Sequence, residues 1–214
     1  APNVDRSVSL AFAADASLKQ LQIWDLNTRT LVDHRELDFI PTSKTQLVIS
    51  EDGEAAVIAS EDRTLRIRYL SPVEPPAELA HTLKSLTPVH AMDISRDGVW
   101  LAAAGEGAIN VWNLQHPPAS FTLDSRDVIS VVSFSPQAEM LVYGTALPAS
   151  PLNAVGIKLL TSHTSQHFAT GSADHRRLTG FNDSITSLTW IDQGNQVLIS
   201  SRDGQLKIWS PQPN

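Results

Sequence analysis

The chain of 214 residues has no cysteine. That removes disulfides, thiolate nucleophiles and cysteine metal ligands. It also lacks long apolar runs. Stretches such as Val99-Trp100-Leu101-Ala102-Ala103-Ala104 are strand-sized, well short of the ~18 residues a membrane-spanning helix needs. Positive charge is in deficit: 16 Lys and Arg face 23 Asp and Glu, for a net charge of −7. A general nucleic-acid surface needs a basic stripe and is excluded, although local basic patches are not. Charged residues make up only 18% against 42% apolar, so a packed core is expected in place of gross disorder.

Motifs of catalysis are missing as well. The sequence has no GxSxG elbow, no phosphate-cradling glycine loop and no HExxH pair. His163 and His167 stand four apart, a ligand spacing only on a helix. They follow a strand and have no third ligand nearby, so no metal is expected. No cofactor is expected either. The Asn182-Asp183-Ser184 sequon is too common to imply export. A cytoplasmic location is expected, with export left open. Residue 1 is alanine, so the expectation is a processed, excised or engineered chain, with any targeting segment lying outside it.

What the sequence has is a repeat. Leu21–Leu26 reads LQIWDL, Leu65–Leu70 LRIRYL, Ile109–Leu114 INVWNL, Ile157–Leu160 IKLL and Leu206–Trp209 LKIW. Aligning Trp24, Arg68, Trp112, Leu160 and Trp209 gives spacings of 44, 44, 48 and 49. A second landmark keeps the same phase: the turns SEDG at Ser50–Gly53, SRDG at Ser95–Gly98, SPQA at Ser135–Ala138 and IDQG at Ile191–Gly194. Asp-Gly and its variants supply tight reversals. Each turn follows an apolar stretch (QLVI, AMDI, VVSF, SLTW) and precedes another (AAVIAS, VWLAAA, MLVYGT, QVLISS). Alternating apolar and polar positions make these strands. The unit is three clear strands and a weaker fourth, for which Thr30–Leu37, Ala77–Ala80 and Ala119–Leu123 are the candidates.

Ile23–Leu26 (IWDL), Val111–Leu114 (VWNL) and Ser201–Trp209 (SRDGQLKIW) make the pattern specific. It resembles the WD-repeat β-propeller family over nearly the whole chain, in about five degenerate units. The resemblance implies an all-β fold of four-stranded antiparallel blades. Arg68 and Leu160 replace the repeat tryptophan, and the family's Gly-His pair is nowhere intact. Gly180-Phe181 and Ala80-His81 stand at its positions. In the last blade Asp203 and Trp209 match the family's hydrogen-bonded network, without its histidine. In the third, Glu106 stands for the aspartate.

One propeller domain or fragment is expected, with blades at roughly 4–37, 38–80, 81–123, 124–170 and 171–214. The first lacks its innermost strand and the last its outer one. Seven blades are usual in the family, whose chains commonly close with a strand from the N-terminus. The expectation is therefore the C-terminal part of a larger propeller, completed by another chain or an upstream segment. Unclosed, its ends would expose strand edges. A five-blade ring is the open alternative. The resemblance places Trp24, Trp112 and Trp209 in the core, and strand patterns add Trp100 and Trp190.

Catalysis at a propeller channel would need paired acids on the innermost strands. Those strands offer Asp93 and little else. The functional expectation is a non-catalytic scaffold or sensor that binds protein partners through its loop face. The alternative is a regulatory propeller attached to a kinase, NTPase or protease-like domain. Partners usually dock on loops held by a rigid frame. The blade-to-blade loops are read at His81–Pro88, Asp124–Asp127 and Arg176–Asp183. Their candidate partner-binding residues are Lys84, Arg126, Asp127, Arg176, Arg177, Phe181, Asn182 and Asp183, because arginine and exposed aromatics anchor interfaces. Solvated turns, and for Phe181 buried packing, are the competing readings. Two proline-stiffened insertions, Ser71–Pro76 and Ala146–Asn153, could lose little entropy on binding or be tolerated surface loops.

Overall fold

A computed structural model describes residues 10–51, 53, 55–69, 82–115, 120–138, 140–146, 153–159 and 177–210. They fall into two compact units, Ala1–Thr45 and Gln46–Asn214. No α-helix occurs among the described residues.

The first unit is an antiparallel meander of β1 (Leu10–Asp15), β2 (Gln20–Asp25) and β3 (Thr30–Glu36). Its turns are set by aspartates. Asp15 accepts the Ser17 N–H at 2.8 Å and Asp25 the Asn27 N–H at 2.7 Å, the side chain mimicking a backbone turn. Leu21 and Ile23 alternate onto a buried face. Trp24 points the other way and is 36% exposed. The expectation that it packs in a core is corrected: its indole N–H donates to the Gln22 amide oxygen of its own strand, at 3.2 Å.

The second unit begins with a four-stranded sheet of β4 (Gln46–Ile49), β5 (Ala55–Ala59), β6 (Thr64–Tyr69) and β7 (Thr82–Lys84). A six-stranded sheet follows, built from β8 (Val89–Ile94), β9 (Trp100–Asn113), β10 (Ser120–Phe134), β11 (Met140–Thr145), β12 (Asn153–Leu159) and β13 (Arg177–Phe181). Its register resolves it into two blades. Residues 101–105 of β9 pair with β8, and residues 108–112 with residues 120–124 of β10. The Leu114 N–H meets the Val99 carbonyl at 2.7 Å, whereas a straight strand would hold these two residues roughly 50 Å apart. β9 is therefore a hairpin, reversed at Gly107 with φ 77°, where a side chain would be strained. β10 belongs to both blades. Its register shifts between Asp124 and Val128, after which it pairs with β11. The last sheet is β14 (Ile185–Ile191), β15 (Gln196–Ser201) and β16 (Leu206–Trp209). This is an all-β fold of propeller blades: three with four strands, the first and last with three.

The blades stack through both faces. Leu101 and Ala103 pack with Val57, Leu65 and Ile67 of the preceding blade. Ala102 and Ala104, pointing oppositely, pack with Ile129, Phe134 and Leu141 of the next. Period-two geometry thus turns a sheet covered on both sides into an unbroken apolar run. A third layer joins Val142 to Ile185, Leu188 and Ile199. Trp112 is buried, and Trp100, Trp190 and Trp209 pack against these layers.

The repeated turns share one device. Ser50, Ser95 and Ser135 Oγ accept the N–H of Ala55, Trp100 and Met140 at 2.9, 2.8 and 3.0 Å. Each serine carbonyl also takes the N–H three residues on. Ile191 holds the corresponding place in the fourth turn. There the chain forms a single 3-10 turn, Asp192–Gly194.

Candidate functional site

The three loops expected between blades are not all loops. Thr82–Lys84 is β7, the outer strand of the second blade. Arg177–Phe181 is β13, the outer strand of the fourth. Residues 124–127 lie within β10. Short outer strands carry too few apolar residues to reveal a period: Leu83 and Leu178 are the half-buried anchors of theirs. The candidate fourth strand at 77–80, Arg176, the loop Ser71–Pro76 and the pair His163 and His167 lie outside the described residues.

The backbone of Arg126 lies in β10 and that of Arg177 in β13. Lys84 is exposed, with its ammonium on Thr64 Oγ1 of its own blade. Asp127 is half-buried. Phe181, Asn182 and Asp183 are brought together, and what joins them is the turn of the last blade. Asp203 Oδ2 accepts the Asn182 N–H at 2.6 Å. Ser201 Oγ donates to the Asp183 carbonyl at 3.0 Å, and the Arg202 N–H to the Ser184 carbonyl at 2.9 Å. Lys207 Nζ donates to the Gly180 carbonyl at 2.6 Å and sits 4.2 Å from the centre of the Phe181 ring, within cation–π range.

Phe181 is 3% exposed, so packing is its role, as one of the two readings held. Asn182 is exposed. The Asn182 and Gln205 N–H groups hold the Asp203 carboxyl below its ordinary range, because both bond the charged form. The aspartate thus acts on the backbone beside the missing histidine. Neither Lys207 nor its ring contact is visible in sequence. The alternation of Lys207 with Leu206 and Ile208 marks it as facing the sheet's other side.

Asp203→Ala should free this loop. Faster hydrogen exchange is expected at the Asn182 and Gln205 amides, with the amides of β5 unchanged. Equal exchange in variant and parent would show that the carboxylate does not hold the loop.

A second polar feature lies at the other end of the innermost strands. An open cleft of about 320 Å³ is lined by Ile49, Ile94 and Phe134, the last residues of β4, β8 and this part of β10, and by Glu51, Arg96 and Pro136 of the turns that follow. Arg96 Nε and Glu51 Oε2 are 2.7 Å apart across its rim. Behind it, Asp93 Oδ2 accepts the Phe134 N–H at 2.7 Å and ties two inner strands. Desolvation raises the Asp93 carboxyl to about 6, against three hydrogen bonds that lower it. No cluster of three metal-ligating side chains occurs among the described residues. No helix among them is long and apolar enough to cross a membrane.

A stack of small antiparallel sheets with fixed turns at both ends defines an all-β repeat protein of the propeller class. The family model "WD domain, G-beta repeat" matches residues 77–113 and 175–210. These two matches support a WD-repeat family assignment. The second match contains Phe181, Asp203 and Trp209. No curated protein gives a significant match. WD repeats generally mediate protein–protein interaction and are typically non-catalytic.

Proposed function

We propose that the chain is a non-catalytic scaffold that binds protein partners through the face carrying Lys84, Arg126, Asp127 and the segment 176–183. The observation that supports this most is the fixed loop at 180–183. Its backbone is held by Asp203, Ser201 and Lys207 while Asn182 stays exposed. A loop ordered before contact loses less entropy when a partner arrives. The basic residues Arg126, Arg176 and Arg177 suit an acidic partner segment.

The test is quantitative affinity capture with the whole chain. Arg126→Glu, Arg176→Glu and Arg177→Glu together should weaken retention of the captured partner by about tenfold or more. Lys44→Glu, on the first unit, should leave it unchanged. Equal retention by both variants would remove this face as the contact.

A further inference from the structure

The cleft beside Arg96 is not a general property of the repeat. Its lining comes from equivalent positions: Ile49, Ile94 and Phe134 end three inner strands, and Glu51, Arg96 and Pro136 are second in three turns. At the next junction the same level is filled. Gln137 Nε2 donates to the Gln193 carbonyl at 2.7 Å, and Gly194 lies so close that a Cβ there would stand 3.0 Å from Pro136 Cδ. At the open junction the second turn residues include the Glu51 and Arg96 pair, which is absent from the filled one.

Three apolar residues, Ile49, Ile94 and Phe134, contribute to a lining of mixed polarity, and the rim carries both signs. Glu51 takes Arg96 through Nε. The two terminal guanidinium nitrogens have no partner among the described residues, and the Arg96 side chain is 63% exposed. That fork is the geometry that receives a carboxylate through two parallel bonds. The existing pair is exposed too, and exposed pairs hold little, so Arg96 can turn toward a new acceptor at small cost. A free small molecule would leave most of its surface in water in so open a cleft, whereas ligand pockets usually bury theirs. A protein segment brings its own surface to cover the mouth.

We propose that this cleft docks an extended segment of a partner protein in which an aromatic or aliphatic side chain is followed by an acidic residue. The apolar side chain enters between Ile49, Ile94 and Phe134. The carboxylate meets the Arg96 fork. Asp93 keeps the floor in shape by holding Phe134. The site rests on the general reading of the chain as an interaction module but not on the loop at 180–183, which adjoins the opposite end of the inner strands.

The probe is a capped hexapeptide, Gly-Ser-Phe-Asp-Ser-Gly, titrated against the whole chain. NMR amide shifts locate binding and fluorescence anisotropy measures it. Shifts are expected at Ile49, Ile94, Arg96 and Phe134. Replacing the peptide's aspartate with asparagine, or Arg96→Gln in the protein, should each weaken binding by about tenfold, and the two changes together little more than either alone. Glu51→Gln should bind at least as tightly as the parent, because it removes the competing carboxylate. Absence of shifts at these amides, equal affinity of the asparagine peptide, or free phenylalanine binding as tightly as the peptide would each overturn the proposal. Arg96 and Glu51 are exposed, so these variants keep the fold, and their capture behaviour through the loop face should be unchanged.

Discussion

Gly105→Ala should cost about 3 kcal/mol, at the upper end of what overpacking a well-filled site does. Gly105 pairs with Val89 in the third blade. A Cβ there would stand 1.8 Å from the Pro88 carbonyl oxygen and 2.9 Å from Thr87 Oγ1. The first of these atoms is backbone and cannot rotate aside. Either the β8–β9 register opens or the chain before β8 moves, and both disturb the layer beneath. Gly204→Ala is the comparison. Gly204 has φ 85° and nothing within 4 Å of a Cβ, so it should lose only about 1 kcal/mol, from the left-handed backbone. Urea unfolding followed by tryptophan fluorescence measures both. Equal losses would mean that the close approach at Gly105 relaxes freely.

Asp93→Asn should stabilise the protein at pH 8 and do nothing of the kind at pH 4. In the folded chain the Asp93 carboxyl titrates at about 6 instead of 3.8, first because burial disfavours its charge. Between those values the folded state holds a proton that the unfolded state has released. Stability therefore falls as pH rises through this window and stays lower above it. The charge costs about 3 kcal/mol at pH 8, since proton affinity differs by roughly two tenfold steps, each worth about 1.4 kcal/mol. Any fixed penalty for the amide is the same at both pH values. The difference between Asp93→Asn and parent at pH 8, minus that at pH 4, isolates the charge. A difference near zero, or of opposite sign, would show that the carboxylate is well solvated or well paired.

Blades were legible in the sequence because their middle strands are covered on both faces. AAVIAS, VWLAAA and MLVYGT are unbroken apolar runs for that reason, and the serine-led turns between them repeat in phase. Outer strands were legible only in part: the expected strands at Thr30–Leu37 and Ala119–Leu123 correspond to β3 and to residues 120–124 of β10, whereas β7 and β13 were read as loops. Thr-Leu-Lys has a single half-buried anchor, and Arg-Leu-Thr-Gly-Phe has Leu178 and the buried Phe181 too far apart to show a period in so short a stretch, so composition reads both as loops. That error moved Lys84, Arg177 and Phe181 from loops to edges. The hold of Asp203 on the Asn182 N–H was half visible, since the aspartate stood out but its backbone donor carries no side-chain signature. The cleft was hidden because Ile49, Ile94 and Phe134 read as ordinary core. One trace of it was present: across SEDG, SRDG, SPQA and IDQG the second residue alternates among glutamate, arginine, proline and aspartate while the apolar residue before each turn persists.

The serine hydroxyl that closes each of three turns has a consequence for how such a surface changes over generations. Ser50, Ser95 and Ser135 satisfy the backbone from inside the turn, so the closing hydrogen bond does not depend on the side chain at the second place. Exchanges there meet little purifying pressure from folding. New chemistry can be tried at the mouth of the cleft one blade at a time, with the frame untouched.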